Sequence, residues 1–356
     1  MKIVLNAYLD NNIGDDLMIS LFASYFSQHD IYLCVDNNIV KKPFEGINNI
    51  NFFRSEELVT ILNDTDLHVT IGGSLFTLTN YKTWIYFYKR IKLSRILKRK
   101  NIKSAIIGCN LGPFDKRNVG FFLAKEEMRT KDLITVRDKE SFNKLSGKLK
   151  NINLHHYPDI VFNMENNQEK KAKTNILGIS VYRSLSNNID NWQTYESLAK
   201  IADSYIEETK GKVKLLAFDC ERENDLIGAY YIKKLSKYPE NVEIIPYLSN
   251  IDKFLLEFST CDMIIAIRFH SAVLAGVYNI PFIPIAYSNK MKNLITDNKK
   301  ESKVYELKKL SEDYNEIVEK ITNNNLFSFD NINGLNNGSL NHFISIEKLL
   351  EEDKNV

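Results

Sequence analysis

Three basic side chains lie at the ends of two successive apolar runs in the stretch MIIAIRFHSAVLAGVYNIPFIPIAYSNK, residues 263–290. Arg268 and His270 follow the first run, and Lys290 follows the second. A guanidinium group offers a planar fork of N–H donors, an ammonium group offers a compact charge, and an imidazole exchanges a proton near neutral pH. Together these groups could bind a phosphate or a carboxylate and move a proton at it.

The elements predicted around these residues would bring them together. Met263–Ile267 is predicted to be a buried parallel strand, and a short helix is predicted over residues 271–278, beginning at Ser271. The first N–H groups of a helix lack partners and form its positive dipole end, so this position attracts an anion. Phe282–Ile285 is predicted to be the next strand of the sheet. Because neighbouring parallel strands end at the same edge, Arg268, His270 and Lys290 are predicted to converge on one small anion.

Other predicted strands are also followed by glycines and polar residues. The segments concerned are Asn12-Ile13-Gly14-Asp15-Asp16, Gly72-Gly73-Ser74, Gly108-Cys109-Asn110-Leu111-Gly112-Pro113, and Arg137-Asp138 with Ser141. Each allows a structural interpretation, namely a helix N-cap, a tight turn or an ion pair between neighbours. Each also allows a functional one, in which the loop contacts a ligand beyond the strand end. The residues alone leave both open.

Alternating apolar runs and amphipathic stretches predict an α/β protein with parallel sheets. The ten predicted strands are Ile3–Asn6, Ile31–Val35, Leu67–Ile71, Ser104–Gly108, Leu133–Val136, Ile176–Val181, Val213–Phe218, Val242–Ile245, Met263–Ile267 and Phe282–Ile285. The polar stretch at 163–173 is predicted to link two domains. We therefore expect two doubly wound, Rossmann-like domains, 1–165 and 174–321, facing a cleft in a GT-B-like arrangement. The remaining segment, 322–356, is expected to be a tail that packs back on the N-terminal domain, with an irregular Asn-rich part at 323–341.

Composition excludes several classes of protein. The 356 residues are 44% hydrophobic and carry a net charge of +2, so sizeable cores are expected and a general polyanion-binding character is not. The four cysteines are widely separated and form no C-x-x-C pair, which indicates neither a zinc site nor a disulfide framework. No third ligand accompanies the adjacent Asp15 and Asp16, so no metal site is predicted. No apolar run is long enough for a signal peptide or a membrane span, and a cytoplasmic protein is expected.

The segment YKTWIYFYKRIKLSRILKRKNIK, residues 81–103, combines nine basic residues with aromatic ones and has no acidic residue. One interpretation is a solvated helix face over an apolar stripe. The other is a peripheral contact of residues 82–103 with an anionic membrane surface. No recognised module supports binding to nucleic acid.

The chain resembles the polysaccharide pyruvyl transferase family. The matching residues are Asn12-x-Gly14-Asp15, Gly72-Gly73, Gly108…Gly112-Pro113, Arg137-Asp138-x-x-Ser141, Pro158-Asp159, Arg268-x-His270, Gly276…Pro281 and Tyr287…Lys290. They span roughly residues 1–295, and the Arg-x-His-Ser block with its downstream Pro and Tyr-x-x-Lys is the specific part. Ser74 departs from the family pattern, which commonly has a third glycine there.

The resemblance implies transfer of pyruvate from phosphoenolpyruvate onto two hydroxyls of a sugar, with formation of a cyclic ketal and release of phosphate. It also implies a fold similar to GT-B glycosyltransferases and products on the cell surface. Phosphoenolpyruvate is the donor substrate, and no cofactor is expected. A sugar on a polyprenyl diphosphate lipid would be a suitable acceptor and would place the protein at the inner face of the membrane.

The resemblance also suggests roles for the residues. His270 is predicted to transfer a proton, Arg268 to stabilise developing charge, and Asp15 to act as a base or to bind the acceptor. Donor binding is predicted for Arg137, Arg268, His270, Ser271 and Lys290. Acceptor binding is predicted for Asn12, Gly14, Asp15, Gly72, Gly73 and Ser74. Two alternatives remain, a GT-B glycosyltransferase that uses a nucleotide sugar and a non-catalytic sugar-binding protein on the same fold.

Overall fold

The computed structural model describes residues 1–76, 81–112, 114, 119–149, 152–166, 173–185, 189–298 and 303–351. Pro113, the side chains of Trp84 and Tyr86, and most of the predicted linker lie outside the described residues. The chain forms two compact units. The first contains residues 1–9, 15–163 and 334–356, and the second contains residues 10–14 and 164–333.

The first unit is built on a parallel sheet of seven strands in the order β3-β2-β1-β4-β5-β6-β7. These strands are β1 (Lys2–Ala7), β2 (Asp30–Cys34), β3 (Ile50–Phe53), β4 (Leu67–Ile71), β5 (Lys103–Cys109), β6 (Leu133–Val136) and β7 (Asn153–His156). Every residue of β4 and β6 is buried, including the polar His68, Thr70 and Thr135, as expected of strands covered on both faces. The strand order reverses between β1 and β4, and ligands of such sheets bind beyond the strand ends at this point.

The second unit has a parallel sheet of six strands in the order β10-β9-β8-β11-β12-β13. These strands are β8 (Ile176–Val181), β9 (Lys212–Ala217), β10 (Val242–Pro246), β11 (Met263–Ala266), β12 (Phe282–Ala286) and β13 (Tyr305–Glu306). Here the order reverses between β8 and β11. β11 also pairs in parallel with β12, which confirms that the two apolar runs of residues 263–290 are neighbouring strands.

Helices connect the strands in both units. They are α1 (Ile13–Tyr25), α2 (Leu58–Ile61), α3 (Tyr81–Arg99), α4 (Val119–Met128), α5 (Lys139–Leu145), α6 (Asn191–Thr209), α7 (Asp225–Leu235), α8 (Ile251–Ser259), α9 (Phe269–Val277), α10 (Asn289–Asn298), α11 (Leu310–Thr322) and α12 (Ile332–Glu351). Short 3-10 turns lie at 39–44, 55–57, 62–64, 160–163, 239–241 and 307–309. No helix in the described parts of the chain combines the length and apolar character needed to cross a membrane.

The ten predicted strands are confirmed, with ends that are identical or differ by one residue, but three further strands were missed. The missed strands β3, β7 and β13 each lie at the edge of a sheet. An edge strand has a partner on one side only and tolerates polar residues, so its apolar pattern is weak. The sequence NLHH of β7 shows this weak pattern, whereas INFF of β3 is mostly apolar but only four residues long.

The prediction of an irregular stretch over 323–341 was wrong for its second half. Residues from Ile332 onward form the twenty-residue helix α12, which packs through the buried side chains of His342, Phe343 and Ile346. His342 is fully buried, and its ring nitrogens lie 2.6 Å from Thr135 Oγ1 and 2.8 Å from the Pro158 carbonyl oxygen. Tertiary packing of one apolar face therefore outweighs the poor helix propensity of the Asn-rich sequence.

Candidate functional site

Arg268 lies where the strand order of the second sheet reverses. It follows β11 directly after Ile267 and is the N-cap residue of α9. Its backbone N–H donates to the hydroxyl of Ser180 in the neighbouring strand β8, at 3.0 Å. This contact fixes the start of α9 at the position where open parallel sheets bind their ligands.

The guanidinium of Arg268 is held by two carboxylates of its own unit. Nε donates to Asp225 Oδ2 at 2.8 Å, Nη2 donates to Asp225 Oδ1, and Nη1 donates to Glu223. The guanidinium carbon lies 4.7 Å from the centre of the Tyr182 ring. The Asp225 side chain is fully buried, whereas that of Glu223 is 28% exposed. The guanidinium N–H groups that were predicted to face an external anion are therefore bonded to carboxylates of the protein itself. Of these two carboxylates, Glu223 is the more accessible.

The electrostatics of this cluster are strongly coupled. Burial alone would lower the pKa of Arg268, but the charges of Asp225 and Glu223 outweigh it and hold the pKa above its usual value. Burial raises the pKa of Asp225 to about 6, despite the opposing charge of Arg268. Burial likewise raises the pKa of Asp219. Arg268 therefore stays positively charged, while the carboxyl groups of Asp219 and Asp225 hold protons more tightly than free ones do.

His270 lies in the first turn of α9 and packs against the backbone of Gly14. A Cβ atom built on Gly14 would lie 1.7 Å from His270 Nδ1, so no larger residue fits without displacing the ring. Asn12 Oδ1 accepts the N–H of Gly14 at 3.0 Å, and the N–H of Ile13 donates to the Phe218 carbonyl at 3.3 Å. The segment Asp10–Gly14 thus belongs to the second unit, where its glycine admits the imidazole.

Ser271 and Lys290, the two other predicted donor-binding residues of this unit, differ in how deeply they are buried. The Ser271 hydroxyl is fully buried and donates to the carbonyl of Arg268 at 2.5 Å, so it stabilises the first turn of α9. Lys290 is half-buried at the start of α10, beyond the carboxyl end of β12. Since β11 and β12 are paired, Arg268 and Lys290 follow adjacent strands, as the sequence predicted.

The acidic residues of the loop after β9 were missed in the sequence analysis. Asp219 Oδ1 accepts backbone N–H groups from Glu221, Arg222 and Glu223, at 3.0–3.3 Å, and so shapes the loop that presents Glu223. Asp225 also accepts the N–H of Arg183 at 3.1 Å, which ties the loop after β8 to the same cluster. The density of carboxylates in DCEREND, directly after a predicted strand, is a signal that would have pointed to this loop.

Arg137 is the centre of a second cluster, in the first unit. Nη1 donates to Asp159 Oδ2 at 2.7 Å, Nη2 donates to Asn110 Oδ1 at 2.8 Å, and the side chain is only 4% exposed. A Cβ atom on Gly73 would lie 2.3 Å from Nη2, so the glycine lets the guanidinium approach the backbone. The Asn110 N–H also donates to the Gly73 carbonyl at 2.8 Å. Arg137 therefore joins the loops that follow β4, β5 and β7.

The remaining predicted residues of the first unit lie at strand ends or cap a helix. Asp138 caps α5 by accepting both the N–H and the hydroxyl of Ser141, at 2.8 and 2.7 Å. Asp15 is half-buried in the first turn of α1, which follows β1. Gly72 and the exposed Ser74 follow β4. β1 and β4 are the strands between which the order of this sheet reverses, so the chain places these residues where a ligand loop is expected.

Within the described ranges of the chain, no group of three or more His, Cys, Asp or Glu side chains is arranged to hold a metal ion.

The sequence of this chain matches one known protein family. The sequence model of a family described as polysaccharide pyruvyl transferase matches residues 12–289. A search of curated proteins gave no match.

Solved structures similar to this chain include enzymes that act on nucleotide sugars. UDP-GlcNAc 2-epimerase from Methanocaldococcus jannaschii has a TM-score of 0.64 and 12% identity, over 98% of this chain and 99% of that chain. HepE from Anabaena, in complex with UDP-glucose, has a TM-score of 0.60 and 13% identity, over 100% of this chain and 99% of that chain. At such identities the similarity establishes the fold alone, which is α/β of the GT-B type.

Proposed function

The chain belongs to the polysaccharide pyruvyl transferase family, and we propose that it moves the pyruvate group of phosphoenolpyruvate onto two hydroxyls of one sugar, forming a cyclic ketal. The expected setting is the synthesis of cell-surface polysaccharide. Phosphoenolpyruvate carries a phosphate and a carboxylate, so its site needs cationic groups and a proton donor.

The proposed reaction has a simple balance. The methylene carbon of phosphoenolpyruvate gains a proton, and a sugar hydroxyl adds to the neighbouring carbon. The C–O bond to phosphate then breaks, and the second hydroxyl closes the ketal. The two hydroxyls together release two protons. One of them balances the proton that the methylene carbon gains, and the other leaves with the phosphate.

One observation carries the proposal, namely the position of Arg268 and His270 at the start of α9. Both lie where the strand order reverses and where helix N–H groups favour an anion. We assign His270 to proton transfer, either to the methylene carbon or to the leaving phosphate. Arg268, with Lys290, would hold the anionic groups and stabilise developing charge.

The other predicted residues have different supporting observations. Arg137 is proposed to act in donor binding and Asp15 as a base or acceptor contact, on the family pattern of their motifs. Because Arg137 is buried against Asp159 and Asn110, it also fixes its loops in place. Ser271 would contribute to donor binding indirectly, because its hydroxyl bonds to the carbonyl of Arg268 and so stabilises the start of α9.

Direct binding measurements test the donor. We expect calorimetry to show binding of phosphoenolpyruvate, with at least a tenfold loss for Arg268→Lys, because lysine keeps the charge but loses the fork. Arg222→Lys is the matched control, since Arg222 is an exposed arginine of the same unit that pairs with Asp10. HepE from Anabaena was solved with UDP-glucose, so a nucleotide sugar is the competing donor. Binding of UDP-glucose without binding of phosphoenolpyruvate would contradict the proposal and favour a glycosyltransferase.

We further propose that α3 makes a peripheral contact with an anionic membrane that carries the acceptor lipid. Ile85, Tyr88, Lys89, Lys92 and Arg95 are exposed, with spacing that puts them along one side of the helix. Ile85 is 56% and Tyr88 is 67% exposed. Exposed basic side chains are attracted to an anionic membrane surface, and exposed apolar and aromatic side chains can insert at its interface.

A further inference from the structure

A pocket of about 340 Å³ lies beyond the carboxyl ends of β8 and β12 in the second unit. Its walls come from the loop after β8, the start of α10 and the residues around β13. Pockets of roughly 300–1,000 Å³ are typical of small-molecule sites. The volume therefore suits a ligand of the size of one or two sugar rings.

Two stacked tyrosines form an aromatic part of this pocket. The rings of Tyr182 and Tyr287 are 4.0 Å apart and nearly parallel, at 13°. Tyr182 also contacts the Arg268 guanidinium, at 4.7 Å. The aromatic pair therefore connects the pocket directly to the candidate donor cluster.

The charged groups on the other side of the pocket are one carboxylate, that of Glu306, and two ammonium groups, those of Lys292 and Lys308. Glu306 accepts from Lys292 at 2.5 Å and lies 3.3 Å from Lys308 Nζ. Hydrogen bonds from Lys292 and Lys308 lower the pKa of Glu306 to about 2, so it is ionised throughout the physiological range. The Glu306 carboxylate can accept hydrogen bonds from a ligand, and the ammonium groups of Lys292 and Lys308 beside it can donate them. Sugar hydroxyls, which both donate and accept hydrogen bonds, match this combination of groups.

Resting on the proposed function, we infer that this pocket binds one sugar residue of the acceptor. The apolar face of the ring would pack on the tyrosine pair, and its hydroxyls would bond to Glu306, Lys308 and Ser184. The adjacent sugar, the one that receives pyruvate, would then lie toward Arg268 and His270. This places an acceptor subsite in the second unit, in addition to the acceptor residues predicted from the sequence.

Ligand-observed saturation-transfer NMR tests this subsite without any donor. The probes are the methyl glycosides of glucose, galactose, mannose and N-acetylglucosamine, with UDP and inorganic phosphate as competitors. We expect at least one glycoside to bind the wild type, with at least a fivefold weaker signal for Glu306→Gln. Glu316→Gln is the matched control, because Glu316 also pairs with a lysine, Lys303, in the same unit but does not line the pocket. The control should bind as the wild type does.

Three outcomes would overturn the subsite. The first is that no glycoside binds, and the second is that Glu306→Gln and Glu316→Gln bind the glycoside equally well. The third is that UDP alone displaces the glycoside. The proposed function fails separately. Binding that depends on Glu306, in a protein that transfers no pyruvate from phosphoenolpyruvate, would keep the subsite and remove the reaction. Transfer of pyruvate by Glu306→Gln with an unchanged KM for the acceptor would keep the reaction and remove the subsite.

Discussion

At the scale of single residues, the contact between Arg268 and Glu223 has the clearest consequence. Glu223 occupies one arm of the guanidinium and is more exposed than Asp225, so an incoming carboxylate or phosphate must displace it. Replacing Glu223 by Gln removes this competition. We predict an affinity for phosphoenolpyruvate that is about tenfold higher, which corresponds to ~1.4 kcal/mol.

Titration of phosphoenolpyruvate into Glu223→Gln measures this effect. Glu221→Gln is the control, since Glu221 is an exposed carboxylate of the same loop. An unchanged or weaker affinity for Glu223→Gln would mean that the donor does not use this arm of Arg268.

His270 allows the second residue-scale prediction. Replacement by Gln keeps much of the size and hydrogen bonding of the side chain but removes the titratable proton. We expect turnover to fall on the order of a hundredfold while donor affinity changes less. Lys290→Ala should do the reverse and act mainly on donor affinity. Steady-state kinetics with a parallel binding measurement separate the two, and near-normal turnover of His270→Gln would remove the histidine from the mechanism.

The sequence predicted the cations of this site but not their partners. Arg268 and Lys290 follow adjacent strands that could be recognised from two apolar runs. Asp225 lies over forty positions earlier, and only the strand order brings the loop after β9 to Arg268. Periodicity shows that a strand exists but not which strand lies next to it.

At the scale of elements, α12 links the end of the chain to the first unit through His342. Burial lowers the pKa of His342 to about 4, so the folded state binds a proton there more weakly than the unfolded state. The stability that depends on neutral His342 is complete above pH ~6.5 and is lost as the pH falls toward ~4, by roughly 3 kcal/mol in total.

Hydrogen exchange of α12 peptides between pH 7 and pH 4.5 tests this titration, after correction for intrinsic exchange rates. Protection should fall in the wild type and depend less on pH in His342→Gln, whose amide can bond to the same two oxygens. Equal pH dependence of wild type and variant would exclude His342 as the titrating group.

The exposed face of α3 leads to the next prediction at this scale. Lys98, Arg99 and Lys100 are all exposed, and each basic residue near an anionic surface contributes about 1 kcal/mol. Their replacement by Gln should weaken co-sedimentation with anionic liposomes and leave turnover of a short lipid-free acceptor unchanged. The control replaces Lys42, Lys139 and Lys144, which belong to the same unit outside α3. Equal loss in both triple variants would show that general charge, not α3, attracts the membrane.

At the scale of the whole molecule, the sequence predicted two parallel sheets because their central strands are buried apolar runs. The sequence did not indicate that a short segment near the N-terminus belongs to the second unit. Residues 10–14 belong to the second unit although the strand before them and most of α1 belong to the first. Residues 10–14 belong to the second unit because Ile13 contacts Phe218 and Gly14 contacts His270. The local sequence gives no indication of such distant partners.

The central claim is that the protein forms a pyruvate ketal on a sugar. Mass spectrometry of acceptor glycans after incubation with phosphoenolpyruvate tests it most directly, with His270→Gln as the inactive control and with chelator present throughout. We predict a glycan that gains the mass of a pyruvate ketal, in amounts equal to the phosphate released, with no requirement for a divalent ion. Transfer of a sugar from a nucleotide donor, with no ketal on any glycan, would contradict the account.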